Sequence, residues 1–102
     1  MTAAEAAAVL REVVDGRRAL RLTDARRPWI GTAVGEVAFV AGDCELVTFA
    51  DSASLDHLAS ITPADGARRT FEQWLAGEGT NPVDLLDEGE RGELEQRLYE
   101  AA

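Results

Sequence analysis

Apolar positions along the chain fall into distinct rhythms, and each rhythm predicts a different element. Between Ala3 and Asp15, Leu10, Val13 and Val14 share one side of a helical wheel with Ala6 and Ala7 behind them. That is the spacing of an amphipathic helix in an alanine-rich segment. Thr2 and Glu5 precede it at the Thr-x-x-Glu spacing, in which the hydroxyl takes a free amide and the carboxylate reaches back. Gly16 supplies the left-handed residue that closes such a helix. From Trp29 to Ala50 the residues become those of strands. Val34, Val37, Phe39 and Val40 form one run, Leu46, Val47, Thr48 and Phe49 another, and Ala41-Gly42-Asp43 between them reads as a short hairpin loop. Apolar residues occur on both faces of these runs, which predicts a sheet covered on both sides.

Other segments are less decided by their pattern. Ala19, Leu20 and Leu22, set among arginines in Arg17–Arg27, suit a further helical turn or a short edge strand. Pro28 disfavours helical geometry at Arg27, so a break falls there. Asp51-Ser52-Ala53-Ser54 reads as the next turn, and Leu55–Ile61 as a third strand, although Leu55, Leu58 and Ala59 also suit one turn of helix. Pro63-Ala64-Asp65-Gly66 is a turn with a mechanism: proline presets φ, aspartate bonds locally and glycine takes positive φ. In Arg68–Leu75 the spacing of Phe71, Trp74 and Leu75 is helical, yet a returning strand that ends in irregular structure is the reading adopted. Gly77–Thr80 is a loop. Asn81-Pro82 places a cap residue before a proline at the first helical position and opens a short helix through Leu86. Asp87 and Glu90 repeat the capping-box spacing before a last helix to about Tyr99 (apolar at Leu94, Leu98 and Tyr99), whose first turn Gly89 and Gly92 weaken. The order predicts one α+β domain over residues 1–102: an N-terminal helix, an antiparallel meander of three to four strands, and two C-terminal helices.

Composition adds bounds to this picture. The chain has 102 residues, 46% hydrophobic and 28% charged, as expected of one folded domain. Its net charge of −9 is uneven. The first thirty residues are mildly basic through Arg11, Arg17, Arg18, Arg21, Arg26 and Arg27, whereas residues 78–100 are crowded with acids. Such a field argues against nucleic acid and anionic membranes and would steer a basic partner to the C-terminal half. The lone Cys44 excludes an internal disulfide. The apolar stretch Ala6–Leu10 is too short for a signal segment or a span, so a cytoplasmic protein is expected.

Candidate chemistry is sparse. Cys44 and His57 are the only nucleophile and base of their kinds, with Asp56 beside the histidine. If the strands flanking Asp51–Ser54 pair through a two-residue turn, His57 faces Thr48. Cys44 is then four positions away along the strand, more than about 13 Å, too far for a dyad. One Cys and one His cannot build a structural zinc site, and Asp84, Asp87, Glu88 and Glu90 lack the ligand order of a calcium loop. Asp51 and Asp56 bracket a turn, where such residues ordinarily serve backbone geometry. Gly31–Glu36 lacks the lysine of a phosphate loop, and the pairs Arg17-Arg18 and Arg26-Arg27 lack interleaved aromatics for nucleic acid. No cofactor is expected. Trp29 and Trp74, with Phe39, Phe49 and Phe71, are core candidates, and an exposed tryptophan among them would be an interface anchor.

The stretches Arg11-Glu12-Val13-Val14-Asp15-Gly16-Arg17-Arg18-Ala19-Leu20, Leu46–Asp51, Leu55-Asp56-His57, Pro63-Ala64-Asp65-Gly66 and Gly79-Thr80-Asn81-Pro82-Val83-Asp84-Leu85-Leu86 carry a resemblance. Together the chain resembles a family of small uncharacterised bacterial proteins, a domain of unknown function found mainly in pseudomonads and their relatives. It departs from that pattern at His57, where the family often has an aromatic, and at Ala64, which intervenes between proline and Asp-Gly. The resemblance implies no activity and no site residues. The functional expectation is therefore a non-enzymatic protein that works through protein–protein contact, as a homodimer or with a partner. One alternative is an acidic, immunity-type inhibitor of a basic partner such as a nuclease. Another is a small enzyme or ligand-binding module with a pocket near Cys44 and His57. The expected interaction surface comprises Glu88, Glu90, Glu93, Glu95, Trp29 and Trp74.

Overall fold

A computed structural model describes residues 1–52 and 54–102. Helix α1 (Ala3–Val14) starts at Thr2, where both bonds of the capping box are made, and its chain leaves through Gly16 at φ 76°. Its buried side carries Ala3, Ala6, Ala7, Val9, Leu10 and Val13. The sheet is a five-stranded antiparallel meander in the order β1 (Leu20–Leu22), β2 (Val34–Ala41), β3 (Cys44–Asp51), β4 (Ser54–Thr62) and β5 (Arg69–Thr70). The sheet therefore exceeds the expected three to four strands. Arg17–Arg27 contains an edge strand rather than a helical turn, and Leu55–Ile61 is strand throughout. Strands of two or three residues are too short to show an alternation, which is why pattern alone leaves β1 open between a helical turn and an edge strand and overextends β5.

The segment Arg68–Leu75 corrects the sequence reading more fully. Only Arg69–Thr70 is strand, and α2 (Phe71–Glu78) begins at Phe71. Thr70 and Gln73 form a capping box, Thr70 Oγ1 accepting from Gln73 N and Gln73 Oε1 from Thr70 N, and Gly79 at φ 69° closes the helix. The helical spacing of Phe71, Trp74 and Leu75 was thus the informative signal. The short helix expected from Pro82 through Leu86 is a 3-10 turn, Pro82–Leu85, capped by Asn81. The last helix, α3 (Glu88–Glu100), starts on the predicted Asp87–Glu90 box.

Pairing of β2 with β3 is regular from Val34↔Asp51 to Ala41↔Cys44 across Gly42-Asp43. Gly42 alone of the two takes positive φ (62°), the φ pattern of a type II′ turn. Of the next expected turn, Asp51–Ser54, Ala53 lies outside the described residues. Register shifts then interrupt β3–β4, leaving Asp56 and Ala59 as extra residues in β4. His57 consequently faces Phe49, not Thr48 as a continuous ladder would place it.

Alternation in these strands decides where the core lies. Val37, Phe39 and Ala41 of β2, Cys44, Leu46, Thr48 and Ala50 of β3, and Leu55, Leu58 and Ile61 of β4 are buried. All but the threonine belong to one cluster with the buried sides of α1 and α3, Trp74 of α2, and Trp29. The intervening residues Ala38, Val40, Val47, Phe49 and Ala59 are half-buried and lie outside that cluster. The helices therefore pack on one face of the sheet. A sheet covered on both sides is not what forms: the second set of apolar residues makes an open face.

Candidate functional site

That open face is the site built by the fold. Period-2 geometry sends Ala38 and Val40 of β2 and Val47 and Phe49 of β3 outward, and the register sets Ala38 beside Val47 and Glu36 beside Phe49. Next to Phe49 lies His57, its ring centroid 4.9 Å away and its plane within 8° of parallel. Phe71, the first residue of α2, also meets the imidazole, its centroid 4.3 Å away and its plane tilted by 41°. Asp56 Oδ2 is 2.7 Å from His57 Nδ1. A carboxylate only accepts, so Nδ1–H donates to it and fixes the ring. The histidine side chain is 20% exposed, and the three rings in contact form the aromatic end of an apolar strip that runs toward Val40.

Charges of both signs border the strip. Arg21 pairs across from Val40, and Glu45 flanks that residue on the other side. Asp24, Arg27 and Glu36 with Ala38 and Val47 line a shallow depression of about 280 Å³. Arg21, Arg27, Arg68 and Arg69 have no ion-pair partner among the described residues, whereas the other six arginines do. The arginines singled out in sequence thus divide. Arg17 and Arg26 bind their neighbours Asp15 and Asp24, and Arg18 is an internal brace.

Arg18 ties the end of α1 to the β2–β3 hairpin. Its guanidinium donates to Asp43 Oδ1 at 2.6 Å, to Ala41 O, and to Glu12 Oε1. Through the bond with Arg18, and then with the Cys44 thiol, the Asp43 carboxyl is held below the usual aspartate range. Cys44 is buried on the helix-covered face, 3.5 Å from both Arg18 Nη1 and Asp43 Oδ1. Burial pushes its thiol up, against the pull of Arg18, so the sulfur is a poor nucleophile. His57 is on the opposite face and level with Phe49, about 17 Å along β3 at ~3.4 Å per residue. The fold keeps the two residues apart, on opposite faces of the sheet. No group of three or more metal-ligating side chains occurs among the described residues.

The acidic helix is used differently from a free surface. Glu90 caps α3 and binds Arg11 Nε at 2.9 Å, and Glu95 accepts from Leu55 N at 2.8 Å. Glu93 pairs with Arg97 one turn on, leaving Glu88 exposed without an ion pair among the described residues. Trp29 and Trp74 are both buried, and Trp74 Nε1 donates to Met1 O, so neither tryptophan is presented as an anchor. Sequence reasoning missed the aromatic group of Phe49, His57 and Phe71, because Phe71 reaches it only through the sheet edge and α2. A family model described as a domain of unknown function (DUF7693) matches residues 1–100. No curated protein and no solved structure matches the chain.

Proposed function

The chain belongs to that domain-of-unknown-function family, DUF7693, and from this premise we propose that it is a non-enzymatic cytoplasmic protein acting through protein–protein contact at the open face of its sheet. One observation carries the reading: every buried helix side chain joins the cluster on one face, while an apolar strip and three rings in contact stand on the other. Apolar surface of this kind, rimmed by charge, gains free energy when a partner removes it from water. The separation of Cys44 from His57 supports a non-enzymatic role. The acidic-inhibitor alternative draws on the net charge of −9, but Glu90 and Glu95 already serve the fold.

Val47→Glu tests the proposal. It puts a carboxylate in the middle of the strip while leaving the helix-covered core intact. Light-scattering mass at about 100 µM and pull-down from source lysate should show an association in the parent chain that the variant loses at least tenfold, with the same circular dichroism. A parent chain that is monomeric and retrieves nothing, or a variant that associates as well, overturns it.

A further inference from the structure

The outer edge of β4 is closed by side chains that imitate a neighbouring strand. Strand β5 pairs with β4 at Ser60 and Ile61, so the stretch from Leu55 to Leu58 has no backbone partner on that side among the described residues. The carboxamide of Asn81, whose residue is 2% exposed, fills the place of a peptide group. Its Oδ1 accepts from Leu58 N at 3.0 Å and its Nδ2 donates to Leu58 O at 2.9 Å, the two-bond exchange of an antiparallel hydrogen-bonded pair. The same Oδ1 accepts from Val83 N, which ties the mimic to the 3-10 turn. At Leu55 the imitation is divided between two residues of α3: Glu95 Oε2 accepts from the amide at 2.8 Å and Arg91 Nη2 donates to the carbonyl at 2.8 Å. The extra residue Asp56 turns Leu55 and Leu58, three apart, toward the same edge. In a regular strand they would face opposite edges.

From this geometry we infer that Asn81, Arg91 and Glu95 form an edge lock, an autoinhibitory contact that keeps β4 from pairing with the β4 edge of a second copy. Unpaired edge groups are templates for strand addition, and proteins suppress it by covering them. The segment is self-complementary in the antiparallel sense. Its midpoint falls between Asp56 and His57, so two copies aligned there set Leu55 against Leu58, and Asp56 of each against His57 of the other. A second copy is thus the occupant that an opened lock admits. The contact is made by backbone groups along the β4 edge, and His57 is the one residue it shares with the aromatic end of the open face.

Asn81→Leu removes both hydrogen-bonding arms at similar volume. In a Val47→Glu background, which silences the open face, it should speed amide exchange at Leu58 about a hundredfold. It should also turn the light-scattering mass from monomer to concentration-dependent dimer. Val37→Ala, which opens a cavity in the core at β2 and leaves β4, the 3-10 turn and α3 unaltered, should lose thermal stability but stay monomeric. If Asn81→Leu does not fold, Arg91→Met with Glu95→Met opens the Leu55 end alone and should raise the dimer fraction in the same assay. A monomer at every concentration with the lock opened, or equal dimerisation by Val37→Ala, overturns the lock. Neither result bears on association through the open face, which Val47→Glu reads separately.

Discussion

At the scale of single residues, the most constrained position is Gly42. Its φ of 62° is one that side chains rarely adopt, and a Cβ there would lie 2.9 Å from Arg18 Cγ. Arg18 cannot withdraw without giving up Asp43, Ala41 and Glu12. Gly66 has a similar φ of 82°, but a Cβ there meets nothing within 4 Å. Both alanine variants carry the left-handed penalty of about 1 kcal/mol, and Gly42→Ala should cost roughly 2–3 kcal/mol in total because it also dislodges the brace. Urea denaturation of the two variants checks this, and equal losses would show that Arg18 yields freely. The glycine and the arginine are both visible in the sequence. Their meeting is not, because Arg18 and Gly42 come together only when β1 docks on β2.

At the scale of elements, the helix-capping signals were the most legible feature. Thr2 with Glu5 and Asp87 with Glu90 both make their boxes, and Asn81 caps its turn. Each is a local bond over two or three residues, so the chain alone specifies it. Thr70 with Gln73 has the same form, and the strand reading of Arg68–Leu75 passed over it. The strands were legible as runs but not by face, since both sets of alternate residues are apolar. The observed packing predicts a sharp alternation along β3. Leu46→Ala should lose about 2–5 kcal/mol, as a fully buried leucine does, whereas Val47→Ala on the open face should lose less than about 1 kcal/mol. Thermal or urea melts of the two neighbours measure it. Comparable losses would mean that the open face is packed as a core.

At the scale of the whole molecule, charge sets the acid limit of stability. Hydrogen bonds from the Thr2 backbone and hydroxyl lower the Glu5 carboxyl, those from Arg26 lower Asp24, and those from Arg18 and Cys44 lower Asp43. A carboxylate depressed in the folded state adds stability above its ordinary value, here 4.5 for glutamate and 3.8 for aspartate, and that part is lost as pH falls through the folded value. The urea midpoint should therefore hold between pH 7 and about 5 and fall steadily below about 4. Asp43→Asn should flatten part of that fall. A midpoint that rises on acidification would mean that relief of the net charge of −9 outweighs these bonds.

The sequence by itself determined what short-range chemistry determines: the capped helices α1 and α3, the β2–β3 hairpin, the isolation of a single cysteine, and an α+β order of elements. It also carried enough of its family's pattern to place the chain in a domain of unknown function. Tertiary structure decided which apolar set faces the helices, because period-2 alternation names two faces without saying which one is covered. It also decided the roles of the acids. Glu90 and Glu95 look like surface charge in a helix of repeated glutamates, yet one grips Arg11 and the other the edge of β4. Those partners lie 79 and 40 residues away, and contacts over such separations depend on packing that no local spacing records.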